Sequence, residues 1–234
     1  VPGRTLEVYR FGQADIRVAV IGGIHGGYEG NTVHLAERMI KYFQLFPENI
    51  PGNITLYIIP CANPDGYSWG NGERARFNAN GVDLNRNWEY NWRSVGAWKN
   101  YTVSAGHEAF SEPETRALRD FILDHGVAAA IFYHSLGGFI SYLDWSTNSR
   151  GLAECLSDTT GYELCTGSSC YDDGVSGDAV SYLASIGLAA VDIEPTDHHA
   201  TDWERNMPGL MFGLQCWVYQ ANPNKSTPIN IPAD

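Results

Sequence analysis

The chain has 234 residues, 44% of them hydrophobic and 18% charged, a balance that excludes a disordered protein and allows one large buried core. Its 27 acidic against 15 basic residues leave a net charge of −12, which argues against nucleic acid or an anionic membrane as the main partner. No stretch approaches the roughly 18 consecutive apolar residues of a membrane span; there is no signal peptide, and the abrupt start at Val1 reads as a mature or trimmed form.

The first predicted element is a strand over residues 15–23, a Val/Ile run suited to burial on both faces. It ends at "IGGIHGGYEGNT", which sets His25 and Glu29 close together just past the strand. A helix follows over 30–46, with Val33, Ala36, Ile40 and Phe43 at helical spacing. A second strand covers 53–60. Strand, helix, strand in that order predicts a crossover unit and a mostly parallel sheet.

Residues 61–103 lack a clear period and read as a long loop, a kind of segment that is usually functional. Order returns with a helix from Ser111. Ser111 and Glu114 form a capping-box pattern, and Gly126 marks the helix end. A third strand over 127–133 again stops at a histidine, His134. A short strand over 140–143 and helices over 149–160 and 178–185 follow. A fourth strand over 188–193 ends at Glu194, and a helix over 203–220 comes last. No repeat, linker or low-complexity tract is present, so residues 1–234 read as one domain.

The five cysteines include no CxxC pair, which argues against a cysteine zinc site. Cys155, Cys165 and Cys170 cluster and invite a local disulfide if the protein is exported; buried free thiols are the other reading. Cys61 and Cys216 stand apart.

Three predicted strands thus end in His25 with Glu29, in His134 and in Glu194. Ligands of parallel α/β sheets bind in the crevice at the strand C-terminal ends. Two imidazoles and a carboxylate suit zinc with one open position, and a second carboxylate can act as general base. One histidine after a strand is more often structural, but several strand ends carrying this set together are hard to obtain by chance. In "RFNANGVDLNRNW", Arg76, Asn85 and Arg86 combine a planar fork with an amide, which suits a carboxylate.

Four strings then stand in one order: "NPDGY" at 63–67, "GVDLNRNW" at 81–88, "HSLGG" at 134–138 and "IEP" at 193–195. With them the chain resembles the zinc metallocarboxypeptidases, the carboxypeptidase A-like family, from about Thr5 to Gly213. The resemblance implies an α/β fold, a mixed, mostly parallel sheet of about eight strands sandwiched between helices. It implies one zinc ion held by His25, Glu29 and His134. Glu194 would activate the attacking water and pass its proton to the leaving amine, and Arg76 would stabilise the oxyanion. Asn85 and Arg86 would bind the free terminal carboxylate of a peptide substrate, and Tyr171 would close over it. The family's first motif is usually His-x-x-Glu, and here the spacing is one residue longer, with glycines that could let the loop bulge.

Asp178 lies in the region that resembles the specificity pocket. It could favour a basic terminal side chain, or only cap its helix; Asp172 and Asp173 could likewise form a solvated turn. His198 and His199 could stand around the site but read more simply as a surface loop, and His34 reads as solvent-facing or structural. Trp88, Trp92 and Trp98 could line a cleft, with core packing or loop anchoring the simpler reading for any one of them. The expected function is a zinc-dependent carboxypeptidase, monomeric and secreted or periplasmic. The chain is shorter than typical digestive members and closer to compact bacterial ones, which makes murein γ-D-glutamyl-diaminopimelate peptide hydrolysis the alternative. A non-catalytic peptide-binding module on the same fold is the alternative of another class.

Overall fold

The computed structural model describes residues 4–166 and 175–221. In chain order the strands are β1 (Tyr9–Phe11), β2 (Ile16–Ile21), β3 (Ile54–Ile59), β4 (Val95–Trp98), β5 (Tyr101–Ser104), β6 (Ala129–Tyr133), β7 (Phe139–Ser141), β8 (Glu163–Cys165) and β9 (Ala189–Glu194). The helices are α1 (Gly30–Leu45), α2 (Pro64–Ser68), α3 (Pro113–Asp124), α4 (Thr147–Thr160), α5 (Ala179–Ser185) and α6 (Trp203–Ala221).

Among the described residues, seven strands form one mixed sheet in the order β1-β3-β2-β6-β9-β7-β8. Its centre, β3-β2-β6-β9, is parallel throughout. The runs "IRVAVI" and "ITLYII" supply it because a strand covered on both faces has no polar side to alternate with. Alternation instead sorts side chains between two cores. Val18, Val20, Leu56, Ile58 and Ile131 face α1, α4 and α6, where Phe43, Leu152 and Leu214 meet them. Ala19, Ile21, Ile59, Ala130 and Phe132 face the other way, toward Leu118 and Ile122 of α3, Leu183 of α5, and Trp88. Burying each large aliphatic side chain contributes about 2 kcal/mol, against a net stability of about 5–15 kcal/mol for a typical domain. A few truncations in either layer would therefore remove a large share of that margin.

Some local expectations change. Helix α3 begins at Pro113 after Glu112, with no side-chain cap. The Ser111–Glu114 capping box does not form because the loop preceding it recruits these groups. Ser111 Oγ donates to Glu112, and Glu114 accepts from Asn78. The segment 61–103 is not all loop: it holds α2 and the antiparallel β4–β5 hairpin. That hairpin turns through Lys99 at φ 52° without the glycine that usually announces such a turn. Strands β1 and β8 are three residues each, too short for a periodic signal.

The cysteine expectation is also corrected. Cys155 pairs with Cys216, 61 residues on, rather than within its local cluster. It shares α4 with Leu152 and Leu156, which face Leu210 and Leu214 of α6, and the helical repeat turns its thiol toward that helix. Cys165 is disulfide-bonded as well; Cys170 lies outside the described residues. Cys61 is a free thiol whose pKa burial pushes up to about 12. No helix among the described residues is long and apolar enough to cross a membrane.

Closing a loop of this length restricts the unfolded chain by about 4 kcal/mol. Replacing Cys155 and Cys216 together by Ser should lower unfolding free energy by about that amount in denaturant titrations. An unchanged midpoint would mean that the staple does not stabilise the fold.

Candidate active site

Parallel strands β2, β6 and β9 end on one edge of the sheet. Beyond that edge lies a cleft of about 710 Å³. The cleft gathers His25, Glu29, Arg76, Asn85, Arg86, His134, Asp178 and Glu194, all candidates from the sequence. Tyr171, Asp172 and Asp173 lie outside the described residues.

The longer His25–Glu29 spacing has a simple local solution. Residues Gly26–Glu29 form one turn of 3-10 helix that runs straight into α1. The left-handed Gly26 redirects the chain into that turn, and Glu29 Oε1 comes to 2.8 Å from His25 Nδ1. The turn requires its glycines. Gly26 has φ +51°, and a Cβ there would lie 2.5 Å from the Ala75 carbonyl oxygen. A Cβ on Gly27 would overlap the carbonyl oxygen of Gly70.

His134 follows β6 directly and completes the group. Its Nδ1 lies 3.2 Å from His25 Nδ1 and 3.1 Å from Glu29 Oε2. Each of the three is only 3% exposed. Tetrahedral zinc with bonds of about 2.0–2.1 Å holds its ligand atoms about 3.3 Å apart, so the donor spacing and chemistry fit that ion. This is the only group of metal-ligating side chains of its kind among the described residues.

Asp83 braces the group from behind. Its Oδ1 lies 3.3 Å from His25 Nε2, and its Oδ2 accepts from Arg76 Nε at 2.8 Å. Carboxylates placed behind a ligating imidazole fix its orientation. Arg76 Nη1 lies 3.7 Å from Glu29, and its guanidinium sits 4.8 Å from the Trp98 ring centroid. Asn85 Oδ1 accepts from the Ala179 amide at the start of α5. Arg86 donates through Nε and Nη2 to the Ala97 carbonyl and through Nη1 to that of Asn85. Asp178 caps α5 by accepting from Ser181 N at 2.8 Å, yet also lines the cleft. Its two sequence readings are therefore compatible.

Burial works against ionisation of Glu29, Asp83, Asp178 and Glu194, and the neighbours decide the outcome. Burial opposes ionisation of Glu29, but His25 and His134 overcome it and hold Glu29 well below the usual range. Asp83 is likewise held low, by Arg76 and His25 against burial. Burial disfavours the charged form of His134, but Asp192 and Glu29 raise its pKa well above the ordinary value. Glu194 is pushed up to about 8, by burial first and with help from Glu29 and Asp192, against the pull of His134 and Arg76. Burial also raises Asp178, with a further push from Asp192.

The cleft also holds residues that the sequence reading missed, Asp192 and Lys99, or favoured elsewhere, His198 and Trp98. Asp192 stands two before Glu194 on β9 and so shares its face, a signal that was available. His198, expected on a surface loop, lines the cleft instead. Its Nδ1 lies 3.0 Å from Ser135 Oγ, and its ring packs edge-on against Tyr28. Asn31 fixes that loop by donating to the Asp197 and Ala200 carbonyls. Trp98 and Lys99 bring the β4–β5 hairpin to the rim, whereas Trp88 is fully buried.

A profile of the zinc carboxypeptidase family matches residues 1–199. The chain belongs to that family. Carboxypeptidase B of Astacus astacus is 28% identical over 173 residues, which are 61% of this chain and 57% of that protein. Murein peptide amidase A of Escherichia coli is 33% identical over 125 residues, 49% of this chain and 47% of that one. The chain thus spans about half the length of these curated relatives. In fold, carboxypeptidase A from Helicoverpa armigera matches with a TM-score of 0.73 at 21% identity, covering 95% of this chain and 66% of that one. A murein-tripeptide amidase from Escherichia coli matches with a TM-score of 0.64 at 23% identity, covering 89% and 85%.

Gly26→Ala should weaken zinc affinity about tenfold or more by displacing the turn. Competition against a chromophoric chelator checks this, and wild-type affinity would show that the turn adapts. A pH effect is expected in metal-stripped protein. Because the folded pKa of Glu194 lies above its unfolded value, its contribution is full below the ordinary carboxylate range and is lost as pH rises through about 8. Glu194→Gln should therefore gain stability over wild type progressively across that window. Parallel denaturation curves for the two proteins would refute this.

Proposed function

We propose that this protein is a zinc-dependent metallocarboxypeptidase that hydrolyses the C-terminal peptide bond of peptides. The observation that carries the reading is the convergence in one cleft of a His, Glu, His donor set with Glu194 and the Asn85–Arg86 pair. His25, Glu29 and His134 would hold one zinc ion. When bound, zinc supplies Lewis acidity toward the scissile carbonyl and makes water more acidic.

The chain's own side chains account for the rest. Asn85 and Arg86 hold the terminal carboxylate, the arginine being pinned by Ala97 and Asn85 so that its fork is already oriented. Glu194 takes a proton from the attacking water and returns it to the departing amine. Its raised pKa suits both halves of that transfer. Arg76, held by Asp83, meets the oxyanion, a charge that develops only in the transition state. A monomeric, secreted or periplasmic enzyme is part of the same proposal, and the Cys155–Cys216 bond supports export.

Murein γ-D-glutamyl-diaminopimelate peptide hydrolysis is the second reading, favoured by the similarity to murein peptide amidase A. Glu194→Gln should lower kcat about 10²- to 10⁴-fold while zinc content stays at the wild-type level. Chelation should abolish activity, and zinc should restore it. Full activity in Glu194→Gln or after chelation would overturn the proposal; metal binding without turnover on any peptide would favour a binding module.

A further inference from the structure

We infer that His198 is a substrate-binding residue whose Nε2 accepts an amide N–H from the part of the substrate that precedes the scissile bond. This rests on the carboxypeptidase reading and adds a residue to the same site. His198 lies outside the four sequence strings that carry the family resemblance. It is half-buried and lines the cleft. One amide fixes the direction of each hydrogen bond behind it. Asn31 Nδ2 donates to the Asp197 and Ala200 carbonyls, at 2.9 Å each, so its side-chain oxygen is the atom that accepts. Ser135 Oγ donates to that oxygen at 2.9 Å and has no second proton to give. The 3.0 Å contact between Ser135 Oγ and His198 Nδ1 is therefore a donation from the imidazole. Burial holds that imidazole below its ordinary pKa, against Glu29 and with help from Lys99. The ring is thus neutral, with its proton on Nδ1 and a lone pair on Nε2.

The placement of this acceptor decides what it meets. The His198 ring packs edge-on against Tyr28 with centroids 4.9 Å apart, and Tyr28 packs on Trp98 at 5.3 Å. This wall starts beside two of the proposed metal ligands, because Tyr28 precedes Glu29 and Ser135 follows His134. The clamp reaches His134 from the other side of its ring. Asn85 lies at His134 Nε2, whereas Glu29 and His25 lie at Nδ1. A peptide with its terminal carboxylate at Asn85 and Arg86 and its scissile carbonyl at the ligands therefore carries its preceding residues onto the wall. Each of those residues brings a backbone N–H that loses water there and needs an acceptor. Trp98 and Lys99 offer only donors, and the Tyr28 hydroxyl is engaged by Lys99. His198 Nε2, with no hydrogen-bond partner among the described residues, supplies the acceptor.

The test uses the zinc-loaded enzyme and blocked tripeptides in which each acyl-side amide N–H is replaced in turn by an ester oxygen. The terminal residue and the scissile amide stay the same throughout. One replacement should lower kcat/KM about tenfold, and it identifies the amide that His198 reads. His198→Phe keeps a ring against Tyr28 and removes the acceptor. It should bring the parent peptide down to the level of that ester analogue, with zinc content retained. A purely structural role would slow parent and analogue alike and preserve their ratio, which would overturn the inference. So would a wild type that is insensitive to both replacements. Calorimetric binding of the same compounds to Glu194→Gln reads the N–H preference without turnover. Tighter binding of the parent with no hydrolysis by wild type would sink the carboxypeptidase reading and uphold the role of His198; equal binding of parent and analogues would sink that role.

Discussion

One buried carboxylate ties the whole site together. Asp83 has no exposed surface, and its two oxygens serve three elements. Oδ2 holds Arg76, and Oδ1 lies against His25 and accepts from the Asn85 amide. The proposed metal ligand, oxyanion arginine and clamp asparagine are thus referenced to one point rather than to three independent loops. A carboxylate can be buried this way only because cationic neighbours and amide donors surround it. Removing any one of them would leave charge stranded, so the brace and the groups it positions stand or fall together.

The rest of the cleft follows from the same bookkeeping of charge. Glu29 sits between two imidazoles and stays ionised, whereas Glu194 is driven toward its neutral form by burial, with help from Glu29 and Asp192 that the pull of His134 and Arg76 does not offset. Chemically identical side chains therefore take opposite states, one suited to holding a cation and the other to exchanging a proton. Burial is common to both and cannot distinguish them; the identity of the nearest charges does.

Much of this was legible in the sequence because it depends on strand ends. The apolar runs of β2, β6 and β9 predict buried parallel strands, and the histidines and glutamate at or just beyond their ends can be placed on one edge without further information. The stretch from Arg76 to Arg86 was legible through its motif. What was not legible depends on contacts across the chain. No local pattern relates Cys155 to Cys216, and the hairpin turn at Lys99 lacks a glycine at its left-handed position. His198 reads as surface because its polar surroundings in sequence resemble any exposed loop. Residues distant in the chain, Asn31 and Ser135, hold that loop over the cleft. Ser111 shows the converse, a correct local pattern overridden because Asn78 and Asn87 compete for the same polar groups.

The β4–β5 hairpin has a consequence for how such a site can diversify. Its Ala97 carbonyl anchors Arg86, and the next residue, Trp98, covers Arg76. Gly96 lies so close that a Cβ there would press on the Arg86 stem. The hairpin belongs to neither the main sheet nor its helices, so its length and tip can vary without disturbing the core. It is therefore a tuning element: changes in it can adjust how firmly a substrate's end is grasped while the donor set on the sheet edge remains as it is.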